Sequence, residues 1–255
     1  MIFFAVLFAF ITGSAFADQL QLEMPVGLAA RVIAGPTWDG AVTLEPKDAL
    51  SVRVTVEARL RGGSWQTASP SQGDKPFPEA TSVERLLPLP RELAGFEKAS
   101  PWEKLVGTVL WVSRHVRLVE DDRGLQDAAS VLARRVGRCS GRANLAVALL
   151  RQMGVPARVV HGLLLRPDGA VWHRWGEACL PNAGWRPFDP GVAVGAVGVR
   201  YLPIVGADES VPLAGLKVVS VAEWEFAHLP RVQGLRVALP RWVPPFLAAW
   251  GKEGL

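Results

Sequence analysis

The sequence predicts an α+β protein: a helix that opens on a cysteine packs against an antiparallel sheet, and a β-rich region precedes both. Three observations carry this expectation. "CSGRANLAVALLRQMGVP" places Ala143, Ala146, Leu149, Leu150 and Met153 at helical spacing and ends in Gly154 and Pro156. That is a buried helix face, followed by a residue suited to the C′ position and one that cannot continue the helix. "ARVVHGLLLR" and "AVWHRWGEACL" then form two strand-like runs joined by Pro167-Asp168-Gly169, a turn whose residues favour reversal of the chain. Near the start, "LSVRVTVEARL" alternates Val52, Val54 and Val56 with polar neighbours, the period of a half-buried strand.

The remaining elements follow in chain order. Residues 1–17, "MIFFAVLFAFITGSAFA", are uncharged, almost wholly apolar and end in an A-x-A pattern before Asp18. They read as a secretory signal peptide cut after Ala17. The alternative is an uncleaved membrane anchor, disfavoured by a run shorter than the ~20 residues that span a bilayer. Residues 18–90 read as the β-rich N-terminal region, with "RGGSWQTASPSQGDKPFPEA" as a Gly-, Pro- and Ser-punctuated loop. Residues 91–230 form the core. In "ASPWEKLVGTVLWVSRHVRL", Ser100, Pro101 and Glu103 spell a helix start with a capping box. A short helix over 126–135 stops at Gly137. Residues 231–255 form a C-terminal extension.

Composition narrows the function. Of 255 residues, 49% are hydrophobic and 20% charged, enough for a sizeable buried core and too apolar for a disordered chain. A net charge of +4 is too small to imply nucleic acid. Between Ala128 and Pro167 lie Arg134, Arg135, Arg138, Arg142, Arg151, Arg158 and Arg166, with no carboxylate. This run is either a solvated face or a cationic rim that draws anionic substrates. No C-x-x-C or H-E-x-x-H pattern implies a metal, and no cofactor is expected.

The two cysteines, Cys139 and Cys179, would pair as a disulfide under the bland reading of an exported chain. The position of Cys139 favours another role. At a helix N-terminus the unpartnered N–H groups and the dipole stabilise a thiolate. Such sites bring a cysteine from ~8.5 down to roughly 3.5–7.5. A thiol nucleophile needs a base, and the base an orienting group. His173 lies in the second strand after the helix, and Asp189 lies beyond the turn "PNAG". If that loop is Pro181 to Ala183, Leu180 pairs with Gly184. Asp189 then falls opposite Trp175, on the same face as His173 and diagonal to it, within reach of a hydrogen bond. A loop one residue longer or shorter would reverse the parity.

Three separated strings now show a pattern: Gly137, Cys139, Ala143, Leu150, Arg151, Gly154, Pro156, Ala157, Arg158 and Gly162; then His173, Trp175 and Glu177; then Gly184, Trp185, Asp189 and Pro190. Over about residues 95–205 the chain resembles the transglutaminase-like superfamily of papain-like thiol enzymes. The resemblance implies Cys139 as nucleophile, His173 as general base and acid, and Asp189 as the residue that orients His173. It implies acyl transfer from amides of peptides or proteins, with water or an amine releasing the acyl group. The Cys139 N–H would belong to the oxyanion hole, joined by Trp102 or Trp111. Ser140 stands where animal transglutaminases carry Trp, and acidic calcium clusters are absent, so a calcium-dependent cross-linker is not expected. The zinc cysteines of peptide N-glycanases are absent too. The other reading is a catalytically silent binding or assembly module of the same fold. The expected partner is a peptide or protein substrate, without nucleic acid, and with a membrane only if the N-terminal segment is retained.

Overall fold

The computed structural model describes residues 18–32, 40–58, 88–96, 98–181, 183–205 and 209–238. The expected signal segment, the Gly/Pro loop and the tail from Leu239 lie outside the described residues. The N-terminal part holds β1 (Asp18–Pro25), α1 (Val26–Ala29), β2 (Gly40–Pro46) and β3 (Ser51–Ala58). The helical part holds α2 (Arg91–Ala94), α3 (Pro101–His115), β4 (Arg117–Leu118), α4 (Ala128–Arg134), β5 (Val136–Gly137) and α5 (Cys139–Gln152). Next come β6 (Ala157–Arg166), β7 (Gly169–Leu180), β8 (Gly184–Asp189), β9 (Ala193–Val194) and β10 (Tyr201–Pro203). The chain closes with β11 (Lys217–Ala222), α6 (Trp224–Ala227), β12 (Arg231–Val232) and β13 (Leu235–Val237).

A seven-stranded sheet in the order β10-β6-β7-β8-β9-β13-β12 forms the middle layer. Helices cover one face. Val106, Val109 and Leu110 of α3, Val131 of α4 and Leu145, Leu149 and Leu150 of α5 pack there against Ala178, Leu180 and Phe188. The other face meets a four-stranded antiparallel sheet in the order β11-β1-β3-β2, where Leu20, Leu22, Val54 and Val56 pack against Val160, Leu163, Trp175 and Leu202. Two apolar faces on one sheet explain why most of β6 and the second half of β7 are buried rather than alternating with solvent.

Local chemistry sets the ends of the helices. Ser100 caps α3: its hydroxyl accepts from the Glu103 N–H while the Glu103 carboxylate accepts from the Ser100 N–H. The Asp127 carboxylate caps α4 by accepting from the Ser130 N–H at 3.0 Å. That helix ends not at Gly137 but on Arg135, a non-glycine residue at φ 56°. The Arg135 guanidinium lies 4.5 Å from the Trp111 ring centroid, a cation–π contact that helps hold it there. Gly154, at φ 80°, turns the chain out of α5 as expected.

The expected boundaries at 90 and 230 cut across both sheets. β11 leaves the core segment to pair with β1, and β13 leaves the expected extension to pair in parallel with β9. Asp18 fastens this arrangement. It is fully buried, and its carboxylate accepts from the backbone N–H groups of Glu225 and Phe226 at 2.6 and 2.8 Å. Among the described residues, no helix is long and apolar enough to cross a membrane.

Candidate active site

Cys139 is the first residue of α5. The segment before it is held by Gln126. Its side-chain oxygen accepts from the Arg138 N–H at 2.7 Å, and its side-chain amide donates to Asp122 and to the Gly124 carbonyl at 2.8 and 2.7 Å. Asn144, one turn into α5, donates to the Gln126 carbonyl at 2.8 Å. Gly141 is required by this clasp, since a Cβ there would sit 2.5 Å from the Gln126 oxygen and 2.7 Å from Val131.

The β7–β8 hairpin delivers the other two residues. Leu180 pairs with Gly184 and Gly176 with Phe188, the register of a three-residue loop. Asp189 therefore emerges on the His173 face, and its Oδ2 lies 2.7 Å from His173 Nε2. With Nε2 committed to Asp189, Nδ1 is the ring nitrogen left to serve Cys139, which lines the same cleft as His173. The predicted triad residues are brought together in the order Cys139, His173, Asp189.

Their ionisation is mutual. Burial pushes the Cys139 thiol up, but the hydrogen bond and charge of His173, with the Arg174 N–H, outweigh it and hold the thiol below its ordinary value. Burial pushes His173 down, yet Asp189 and Cys139 lift it to about 9. Burial likewise raises Asp189, and His173, the Gly191 N–H and the Tyr201 hydroxyl hold it below the usual carboxylate range. Each shift favours the charged form of its group: thiolate, imidazolium and carboxylate.

Three residues support the site; Tyr201 and Gln126 have no site role from sequence, and Arg142 enters only with the run of arginines. Tyr201 donates its hydroxyl to Asp189 Oδ2 at 2.9 Å and sets its ring edge-on to His173 at 5.5 Å. It is the lone tyrosine of the chain, a signal the sequence offered. Arg142 is buried one turn after Cys139, and its Nη2 donates to the Pro190 carbonyl at 3.0 Å, tying α5 to the end of β8. Gln126 has no signal short of the tertiary structure. Trp175 is fully buried in the core between the sheets and stacks on His173 with centroids 6.2 Å apart, so it backs the ring without lining the cleft. Glu177 is fully buried away from the site, with Arg158 Nε at 2.7 Å. The Arg158 guanidinium lies over Trp185. Cys139 and Cys179 are both free, so the disulfide reading is excluded.

Cys139 and His173 open onto a cleft of about 300 Å³, walled by Leu118, Val171 and Trp172 among others. Neither tryptophan expected in the oxyanion hole lines it. Trp111 Nε1 donates to Glu92 at 3.3 Å on the far side of α3, and Trp102 packs against Gly195 in the core. Both lie on the buried face of α3, which points at neighbouring elements rather than at the cleft.

The cationic rim also dissolves on inspection. Arg134 pairs with Asp122, Arg158 with Glu177 and Arg166 with Glu120. Arg135 covers Trp111, while Arg142 and Arg151 donate to backbone carbonyls. Only Arg138 and Arg166 line the cleft, together with Glu120 and Glu209.

Residues 90–190 match the family described as the Transglutaminase-like superfamily. Among solved structures, a candidate cysteine protease from Cytophaga hutchinsonii aligns at a TM-score of 0.41 and 13% identity, over 82% of this chain and 89% of its own. The periplasmic domain of TgpA from Pseudomonas aeruginosa aligns at a TM-score of 0.36 and 17% identity, over 68% and 69% of the two chains. No curated protein matches the sequence. The likeness of this chain to the transglutaminase-like superfamily rests on the segment from residue 90 to residue 190, which holds Cys139, His173 and Asp189.

Proposed function

We propose that this protein is an exported cysteine enzyme that cleaves or transfers acyl groups at amide bonds of peptides or proteins. Cys139 acts as nucleophile, His173 as general base and acid, and Asp189 orients and charges His173. The supporting observation is the 2.7 Å contact of His173 Nε2 with Asp189, on a ring that shares its cleft with a cysteine at a helix N-terminus.

The Cys139 thiolate attacks the carbonyl carbon, forming a C–S bond and an oxyanion. The Cys139 backbone N–H, at the head of α5, is placed to stabilise that oxyanion. His173 passes its proton to the amide nitrogen, the C–N bond breaks and an amine leaves. Water then gives a proton to His173 and adds to the thioester carbonyl, and the C–S bond breaks to regenerate the thiolate. Hydrolysis is preferred over transfer to an amine because Cys139 is partly exposed in an open cleft, which leaves the thioester within reach of water. Export rests on the apolar segment 1–17 with its A-x-A ending.

Site-resolved alkylation tests the nucleophile. Cys139 should label well below the ~8.5 of a free thiol, and His173→Ala should slow it. Labelling of Cys139 only at high pH would refute an activated thiol. Undiminished amidase activity in Cys139→Ala would refute the role of the residue. Incorporation of labelled amine faster than hydrolysis would overturn the preference for water. Intact mass of the exported protein locates its N-terminus, and a retained Met1 segment would overturn cleavage after Ala17.

A further inference from the structure

Resting on the reading above, we infer that Arg138 is an anion-binding residue of the substrate cleft, and that the substrate carries a carboxylate close to the scissile amide. The starting point is the seven arginines between Arg134 and Arg166. Six have a partner, in a carboxylate, a backbone carbonyl or an aromatic face. Arg138 is the exception. Among the described residues its guanidinium has no ion pair, and its Nε is buried without an acceptor. It lines the cleft beside Cys139 and His173.

Its backbone is fixed by the hydrogen bond to Gln126, and as the N-cap residue of α5 it directly precedes the nucleophile. Consecutive Cα atoms lie ~3.8 Å apart, so the side chain can reach only groups within a residue or two of the attacked carbonyl. A buried guanidinium nitrogen without an acceptor is costly to leave unsatisfied. A planar carboxylate, taken up by two parallel N–H donors, is the ligand that satisfies it best. The other cation of the cleft, Arg166, is already held by Glu120 at 3.3 Å. Glu209, which lines the same cleft, discourages a second anion beside it. The carboxylate can be a free chain terminus or an acidic side chain next to the scissile bond.

The test separates Arg138 from catalysis by using two alkylating reagents of nearly equal size, iodoacetate and iodoacetamide. In each, the Cys139 sulfur displaces iodide from the CH₂ carbon, and only the first carries a carboxylate. The ratio of the two rate constants at Cys139, followed by mass spectrometry, should fall about 10-fold or more in Arg138→Gln, the effect of losing a charge-assisted hydrogen bond. Arg138→Lys should retain part of the ratio, and added salt should shrink it in the native protein. An equal ratio in the native protein and Arg138→Gln would overturn the inference. The outcome is distinct from failure of the proposed function, which would appear as slow labelling by both reagents at neutral pH. Matched peptide amides then locate the carboxylate. Selectivity for a free C-terminus over its amide, lost in Arg138→Gln, assigns the chain terminus. Selectivity for Glu over Gln, lost in the same variant, assigns a side chain. Peptide selectivity insensitive to Arg138 in both pairs would refute it as a specificity residue.

Discussion

Asp189→Asn tests the ionisation of the site most directly. The carboxylate oxygen Oδ2 accepts from His173 Nε2 and from the Tyr201 hydroxyl, and Oδ1 accepts from the Gly191 N–H. Asparagine keeps the shape but not the charge, and either orientation of its amide turns an NH₂ toward a donor. The rise of His173 from 6.5 to about 9 corresponds to ~3 kcal/mol at about 1.4 kcal/mol per tenfold. His173 is largely buried, so solvent screens little of this. Without Asp189, burial returns His173 toward or below 6.5, and Cys139 loses the imidazolium that holds its thiol down. In the native protein the ion pair persists from the depressed Cys139 value up to about 9. In the variant most of Cys139 is a neutral thiol near neutral pH. Alkylation of Cys139 by iodoacetamide should therefore slow by roughly 10²-fold there, leaving a single rise near the value of an ordinary thiol. A variant that kept the low-pH limb would refute this account of the site's charge.

Further outcomes follow from the packing around the hairpin. Gly176→Ala drives a Cβ into the Phe188 ring, next to Asp189; overpacking of this kind costs about 1–3 kcal/mol, read as a lower urea midpoint, and an unchanged midpoint would mean that the strands yield freely. Glu177→Ala leaves the buried Arg158 guanidinium without its carboxylate and should destabilise by roughly 3–5 kcal/mol. Glu177 also predicts a pH dependence. Burial lifts it from 4.5 to about 7 against the pull of Arg158, so the folded state holds its proton more tightly than the unfolded chain. Its contribution is present in full below about 4.5 and is lost as pH rises through about 7. Relative to Glu177→Gln, urea stability of the native protein should fall across that window, and parallel curves would refute the assignment. Tyr201→Phe removes one donor from Asp189 and should cost about 1.5–3 kcal/mol by urea unfolding, the worth of a hydrogen bond to a charged group.

Much of the site follows from local rules. The capping box at Ser100, the start of α5 at Cys139 and the exit at Gly154 depend on residues within a few positions of one another. The meeting of His173 with Asp189 is local as well. One loop length sets the parity of a hairpin, and parity decides which side chains share a face. Residue type alone leaves Trp102 and Trp111 open between an oxyanion donor and the core, and the buried face of α3 places both in the core.

The sequence by itself determined the helix that presents Cys139, the strand pair that carries His173 and Asp189, and the resemblance of the segment between residues 90 and 190 to the transglutaminase-like superfamily. Only the tertiary structure decided that Tyr201 holds Asp189, that Arg142 ties α5 to β8 and that β11 and β13 cross the expected boundaries. It also decided that six arginines of one run are spent on structure while Arg138 faces the cleft. The physical reason is range. Dihedral preference, capping and side-chain alternation act over a few residues and can be read along the chain. Partners that lie far apart in sequence are chosen by whichever packing buries the most apolar surface and leaves the fewest polar groups without a partner.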